Sequence, residues 1–239
     1  MEARFLGKIE RGLGLNLGTK MPVILSLEGN IGAGKSTLIA ALRAAHPEWH
    51  FVDEPVEEWL QPDSTGRSLL QNFYEDKRRW AYTFQNAALL SRSKALRTCV
   101  SAHAFSESQV FVTERSIEAD KNIFAAMLTA DGEMSPLEWG LYMKWYAQTQ
   151  VSTPPITGYI HLDTPVTICH ERIERRARPG EIIEVEYLDR LDSYHFAWLH
   201  AAGFKTPVLR YDTYSQPKDQ SSMKDVEAFV ERLSGAVQN

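Results

Sequence analysis

Eight consecutive residues constrain this chain more than any others. Gly29-Asn30-Ile31-Gly32-Ala33-Gly34-Lys35-Ser36 satisfies the pattern GxxxxGK[ST]. Residues 23–27, just before it, are apolar but for Ser26 and read as a buried first strand, and 38–45 continue as a helix. Between a strand and a helix, such a loop is a phosphate cradle. Its glycines let successive backbone N–H groups turn inward around phosphate oxygens, and the helix N-terminus adds partial positive charge. The predicted cradle runs from Gly29 through Ser36 to Thr37. Lys35 is expected to reach the β- and γ-phosphates, and the Ser36 hydroxyl to ligate Mg²⁺. The bland alternative is a glycine-rich turn with no ligand. The motif points to a nucleoside triphosphate and is silent about its use.

The rest of the chain fits the same architecture. Short β-branched runs alternate with long helical stretches, the pattern of a parallel sheet wrapped by helices. Further strands are expected at 50–53, 110–113, 159–162 and 207–211. Helices are expected at 117–129, 136–149, from near Pro165 and at 223–233. Neither Gly nor Pro interrupts 67–101, so one long helix or two abutting ones should fill that span. The expectation is an α/β fold of the P-loop NTPase type, three layers in a single domain over 21–239. Residues 1–20 are expected to be a tail. They hold Arg4, Lys8, Arg11 and Lys20 but also Glu2 and Glu10. Import peptides avoid acids, which favours a cytoplasmic location over mitochondrial import.

Composition excludes several classes. The net charge of −5 lacks the basic excess of a protein that lives on nucleic-acid phosphates. No apolar run approaches the roughly 18 residues of a membrane span. Cys99 and Cys169 stand far apart, which argues against a zinc site or disulfide framework and for a reducing compartment.

Two further segments narrow the chemistry. A GTPase would carry NKxD, which is absent, and a DxxG closing a strand; the only DxxG, Asp63 to Gly66, follows no apolar run. Instead the strand at 110–113 closes with Glu114-Arg115-Ser116. A carboxylate there can hold Mg²⁺ through water, and the adjacent Arg can neutralise charge on a transferring group. After the second strand comes Asp53-Glu54-Pro55-Val56-Glu57-Glu58-Trp59, at the sheet edge where open α/β folds bind ligands. Glu54 is placed to accept the proton of an attacking hydroxyl; because phosphoryl transfer is loose, its main task would be orientation.

Taken together, the motifs resemble the deoxyribonucleoside kinases of the deoxycytidine/deoxyguanosine kinase type. The resemblance spans residues 24 to about 199. It rests on GNIGAGKST at 29–37, EPVxxW at 54–59, LQNFYEDKRRWAYTFQ at 70–85, LSR at 90–92, ERSxxxD at 114–120 and RxRxxE at 176–181. It implies a five-stranded parallel sheet with an arginine-rich lid at about 172–186, and a homodimer built from long helices. It implies phosphoryl transfer from ATP or another nucleoside triphosphate to the 5′-hydroxyl of a deoxyribonucleoside. Glu54 would be the base, with Arg115 beside it and Lys35 on the phosphates; Ser36 and Glu114 would serve Mg²⁺. Tyr74 and Glu181 would bond the 3′-hydroxyl, Phe84 and Phe124 would pack on the base, and Trp59 would line the pocket. Gln85 would read the base edge. Arg172, Arg176 and Arg178 would close over the triphosphate.

Helical spacing bears on the same residues: Gln85, Ala88 and Arg92 fall on one helix face, joined by Tyr74 if the helix runs unbroken. By the resemblance, an Arg92–Asp120 pair marks the deoxycytidine and purine branch, since the thymidine branch is apolar or small there. The chain departs from the family in two places. Pro179-Gly180 precedes Glu181 in a lid one residue shorter, and Ser215-Gln216-Pro217 replaces an acid–aromatic pair that cups adenine. The rival enzyme readings are a thymidine-type kinase and a nucleoside monophosphate kinase; the second needs a site for a substrate phosphate. A non-catalytic relative acting as a subunit would be expected to have eroded Lys35, Ser36, Glu54 or Arg115, and all stand.

Overall fold

A computed structural model describes residues 22–236 except Phe105, Glu107, Pro179, Gly180 and 214–219. The expected tail at 1–20, the Pro179-Gly180 departure and the Ser215-Gln216-Pro217 segment therefore lie outside the described residues.

Five parallel strands form one sheet in the order β2-β3-β1-β4-β5. They are β1 (Val23–Gly29), β2 (His50–Val52), β3 (Val110–Glu114), β4 (Gly158–Asp163) and β5 (Val208–Asp212). All seven residues of β1 are buried, because both faces of a parallel sheet are covered by helices. Alternation sorts its side chains. Val23, Leu25 and Leu27 join Leu42 of α1 (Lys35–Ala45), Ile160, and Val226 of α10 (Gln220–Ala236) in one core. Ile24 points the other way, to Phe111, Val52, and Leu96 of the long helix α4 (Lys77–Ala102). β3 and β4 flank β1 on opposite sides, so the chain reverses direction across its carboxyl end, where open sheets open a crevice.

The 67–101 span is two abutting helices, α3 (Leu69–Glu75) and α4. The break is at Asp76, whose carboxylate accepts from the Arg79 N–H at 3.0 Å and so caps α4. The condition for Tyr74 to share the Gln85–Arg92 stripe is therefore not met: Tyr74 sits on α3 and lines the same cavity from there. Three local features differ from expectation. Pro55 stands at the N-cap of a short helix, α2 (Val56–Leu60), for which the sequence reading had no element. The 117–129 helix is α5 (Ile117–Ala119), a π-helical stretch Asp120–Ala125, and α6 (Ala126–Ala130). A further helix, α9 (Val185–Leu199), follows the lid, and its apolar face had suggested nothing in the sequence. The others are α7 (Pro136–Ser152) and α8 (Val166–Arg176). Among the described residues no helix is long and apolar enough to cross a membrane.

Candidate active site

The carboxyl ends of β1 and β3, with α2 to α4, the π-helical stretch and the lid, enclose a cavity of about 370 Å³. Its floor is the phosphate loop. Gly34 caps α1 at φ 100°, a left-handed conformation that keeps the helix N–H groups facing the loop. A Cβ on Gly32 would stand 2.4 Å from the Cys169 carbonyl, so only glycine lets α8 pack this closely. Asn30 pins the loop from behind, donating to the Leu188 carbonyl at 2.8 Å. Lys35 is buried and donates to the Asn30 carbonyl at 2.9 Å. Burial, with Arg115 adding like charge, lowers its pKa to about 8.

Ser36 and Glu114 meet beside the loop, the hydroxyl donating to the carboxylate at 3.0 Å. This is a hard, oxygen-only pair, and Mg²⁺ favours one or two such protein ligands completed by substrate phosphates. The residues fit that ion, although no cluster of three or more ligating side chains exists among the described residues.

Glu54 lies between two guanidinium groups. Arg92 Nη2 donates to its Oε1, and Arg115 Nε is 3.4 Å from the same oxygen. Burial alone would raise its pKa, but Arg92, Arg115 and Lys35 outweigh burial and hold it down at about 2. Arg92 also donates through Nη1 to Asp120, which is 1% exposed. One arginine thus bridges both carboxylates, and its Cζ sits 4.8 Å from the centre of the Trp59 ring. The Trp59 indole in turn donates to Ser91 at 3.0 Å.

The wall beyond Arg92 is aromatic and incompletely bonded. Phe84 stacks on Phe73 at 4.5 Å and meets Trp59 edge-on. Gln85 Oε1, Arg92 Nε and Asp120 Oδ2 are buried with no hydrogen-bond partner among the described residues. Burying polar atoms without a partner is costly. The π-helical stretch brings Asp120 and Phe124 to the same cavity, an arrangement frequent at functional sites.

The lid arginines take protein partners. Arg172 donates to the Ala33 carbonyl at 3.0 Å, bracing the loop from outside the cavity. Arg176 donates twice to Glu181, at 2.6 and 3.1 Å, and Arg178 lies 3.5 Å from the same carboxylate. Tyr74 stands 3.5 Å from Glu181. Arg176 and Arg178 thus pair with Glu181, whose carboxylate is almost wholly buried, and both line the cavity together with the phosphate loop.

Of the expected substrate and catalytic residues, Lys35, Glu54, Trp59, Tyr74, Phe84, Gln85, Arg92, Arg115, Asp120, Phe124 and Glu181 all line the cavity. Ser36, Glu114, Ile31 and Gly32 line it too. Ala88 does not: it is fully buried behind the wall, packed with Trp59 and Phe84. Leu70, Phe73, Val56 and Tyr187 line the cavity without having been singled out from the sequence. Leu70 and Phe73 lie inside the LQNFY motif and were within reach; Tyr187, on α9, carried no local signal.

Residues 25–234 match a family model described as deoxynucleoside kinase. The chain is 35% identical over 197 residues to deoxycytidine kinase 2 of Gallus gallus, covering 74% of this chain and 73% of that one. It is 35% identical over 191 residues to the mitochondrial deoxyguanosine kinase of Xenopus laevis, covering 73% and 72%. Against deoxycytidine kinase of Mus musculus the identity is 34% over 244 residues, covering 90% and 94%.

Proposed function

Because the chain belongs to the deoxynucleoside kinase family, we propose that its cavity holds a deoxyribonucleoside with the 5′-hydroxyl at Glu54 and the base at Gln85, Arg92 and Asp120. The observation that carries this reading is that all three of these hydrogen-bonding side chains line the cavity together with Glu54. A base edge offering donors and acceptors would satisfy them, while the Phe84 and Phe124 rings would pack on its faces. The family match does not favour a nucleoside monophosphate kinase.

In this mechanism the ATP polyphosphate lies along the loop, with Lys35 and the α1 N–H groups on its oxygens. Ser36 and Glu114 would hold Mg²⁺, which supplies charge neutralisation at the phosphates. Glu54, with a pKa near 2, is a weak base at neutral pH. It therefore orients the hydroxyl by accepting its hydrogen bond and takes the proton only as the new P–O bond forms. Arg115 stabilises charge on the transferring group. Tyr74 and Glu181 would bond the 3′-hydroxyl, and Arg176 and Arg178 hold Glu181 towards it.

The Arg92–Asp120 pair supports deoxycytidine and purine deoxynucleosides over thymidine, because a fixed set of donors and acceptors rejects a base that leaves them unpaired. The test is transfer from labelled ATP to the four natural deoxynucleosides and to their monophosphates. Turnover of monophosphates alone would sink the reading.

Donor binding should depend on pH. Bound phosphates favour protonated Lys35, whose pKa in the free protein is about 8. Binding above that pH must take up a proton, so affinity falls as pH rises through 8, approaching about tenfold per pH unit. A dissociation constant for ATP that stays flat up to about pH 9.5 would contradict this.

A homodimer is proposed through α7 and α4. Leu137, Leu141 and Trp145 repeat every four residues on α7 and are 75%, 39% and 54% exposed, with Leu90 of α4 at 55%. A second copy of this apolar face is the partner that would cover it. Leu141→Glu with Trp145→Glu should give a monomer in sedimentation; a monomeric parent protein would refute the dimer. Free Cys99 and Cys169 support a reducing, cytoplasmic location, which fractionation of tagged protein would check.

A further inference from the structure

Arg115 is held under strain. Its φ of 64° lies in the left-handed region, which is costly for a long side chain and persists only where surroundings impose it. Its N–H donates to the Leu27 carbonyl at 3.1 Å, and its own carbonyl accepts from Thr113 at 3.1 Å. The guanidinium meets four groups. Nε faces Glu54, the Phe124 ring lies 4.8 Å away, and Nη1 is 3.9 Å from Glu28 Oε2 and 3.3 Å from His195 Nε2. Glu54, Phe124 and Glu28 flank the cavity or the sheet end. His195 comes from α9, the helix that leaves the lid.

The two ring nitrogens of His195 are assigned by their partners. Nδ1 is 2.6 Å from the Leu191 carbonyl oxygen, which can only accept, so Nδ1 carries the proton. A guanidinium can only donate, so Nε2 is unprotonated and accepts from Arg115 Nη1. The ring is therefore neutral, and it is fully buried. Burial, and after it the charge of Arg115, depresses its pKa well below the ordinary value.

Glu28 supplies the reason such a contact matters. Its Oε1 is saturated by Ser26 and by the N–H and hydroxyl of Ser116. Its Oε2 is buried and has no hydrogen-bond partner among the described residues. That oxygen lies just beyond bonding distance of Arg115 Nη1 and competes with His195 for it. Without an acceptor at His195, the guanidinium would turn towards Glu28 and draw Nε away from Glu54.

We propose that His195 is a positioning residue for Arg115, whose unprotonated Nε2 holds the guanidinium turned towards Glu54 and the acceptor hydroxyl. The proposal rests on the reading of Glu54 and Arg115 given above. The same helix carries Leu188, whose carbonyl accepts from Asn30 of the phosphate loop. One face of α9 thus ties the donor cradle and the acceptor-side arginine into a single frame.

Two variants separate positioning from packing. His195→Gln carries an acceptor as far as Nε2 reached; His195→Asn still reaches the Leu191 carbonyl but stops short of Arg115. His195→Asn should lower kcat by about 10- to 100-fold with both KM values within about threefold, and His195→Gln should stay within about threefold of the parent. Equal losses in the two variants, no loss in either, or a loss confined to KM would overturn the proposal. Thermal unfolding of both variants confirms that they fold. A measurement on the unsubstituted protein needs no variant: ¹⁵N-histidine NMR at neutral pH should show His195 neutral with its proton on Nδ1. A proton on Nε2 overturns the proposal. Arg115→Met separates the two layers of inference. If it keeps full turnover, the reading of Arg115 falls; if it is inactive while His195→Asn is fully active, only the role of His195 falls.

Discussion

Glu54→Gln should lower kcat by about 10²- to 10⁴-fold while nucleoside and ATP affinities change far less. The amide keeps the size and one acceptor, so the hydroxyl can still dock. It cannot take the proton as the P–O bond forms, and it no longer balances the charge of Arg115 beside the transferring group. A loss confined to KM would mean that Glu54 only binds, and the proposed chemistry would fail. The same carboxylate carries a stability signature. Its folded pKa of about 2 lies below the ordinary 4.5, because the cations around it outweigh burial. A depressed carboxyl pKa contributes stability that is complete above pH 4.5 and is lost as pH falls towards 2, in total about 3 kcal/mol. Glu54→Gln should therefore flatten the acid limb of the stability curve in that window. Denaturant unfolding between about pH 2 and pH 6 checks it.

Arg92→Met should change what the enzyme accepts. Turnover of deoxycytidine and the purine deoxynucleosides, as kcat/KM, should fall by at least about 100-fold, the loss of one or two charge-assisted hydrogen bonds. Thymidine should be spared or gain, since Met leaves an apolar wall where a 5-methyl group can sit. Because Arg92 also binds Glu54, every substrate will feel some change in kcat, so the ratio between substrates is the quantity to read. Thymidine as the best substrate of the parent protein would end the base-reading hypothesis. The substitution has a second consequence. Asp120 is 1% exposed, and burial pushes its carboxyl up to about 6 even with Arg92 in place. Removing Arg92 strands it, a loss of about 3–5 kcal/mol if the charge stays and less if the group takes up a proton. Arg92→Met combined with Asp120→Ala should recover most of that stability while keeping the altered base preference. A double variant no more stable than the single one would show that the pair is not the source of the loss.

Much of this site is legible in the order of residues alone. The phosphate loop, the Glu54-Pro55 turn and Glu114-Arg115 are each set by a few adjacent residues, and a local pattern can specify a local backbone. The strands are legible too, since a sheet covered on both faces demands mostly apolar runs such as Val23 to Leu27, broken only by Ser26. The helix break at Asp76 is visible in principle, as Asp is a good N-cap, but nothing local chooses between one helix and two. The π-helical stretch that aims both Asp120 and Phe124 inward has no composition of its own.

What sequence alone determined is which chemical groups the protein owns and the short-range backbone that displays them: amides for phosphate, a serine and an acid for the metal, an acid for the hydroxyl. Tertiary structure decided how those groups pair. Arg92 reaches Glu54 across 38 positions, and His195 reaches Arg115 across 80. Arg176 pairs with the carboxylate of Glu181 inside the lid. The physical reason is burial: once water is removed, each charge must take the nearest partner that packing allows, and only the folded chain defines which one that is.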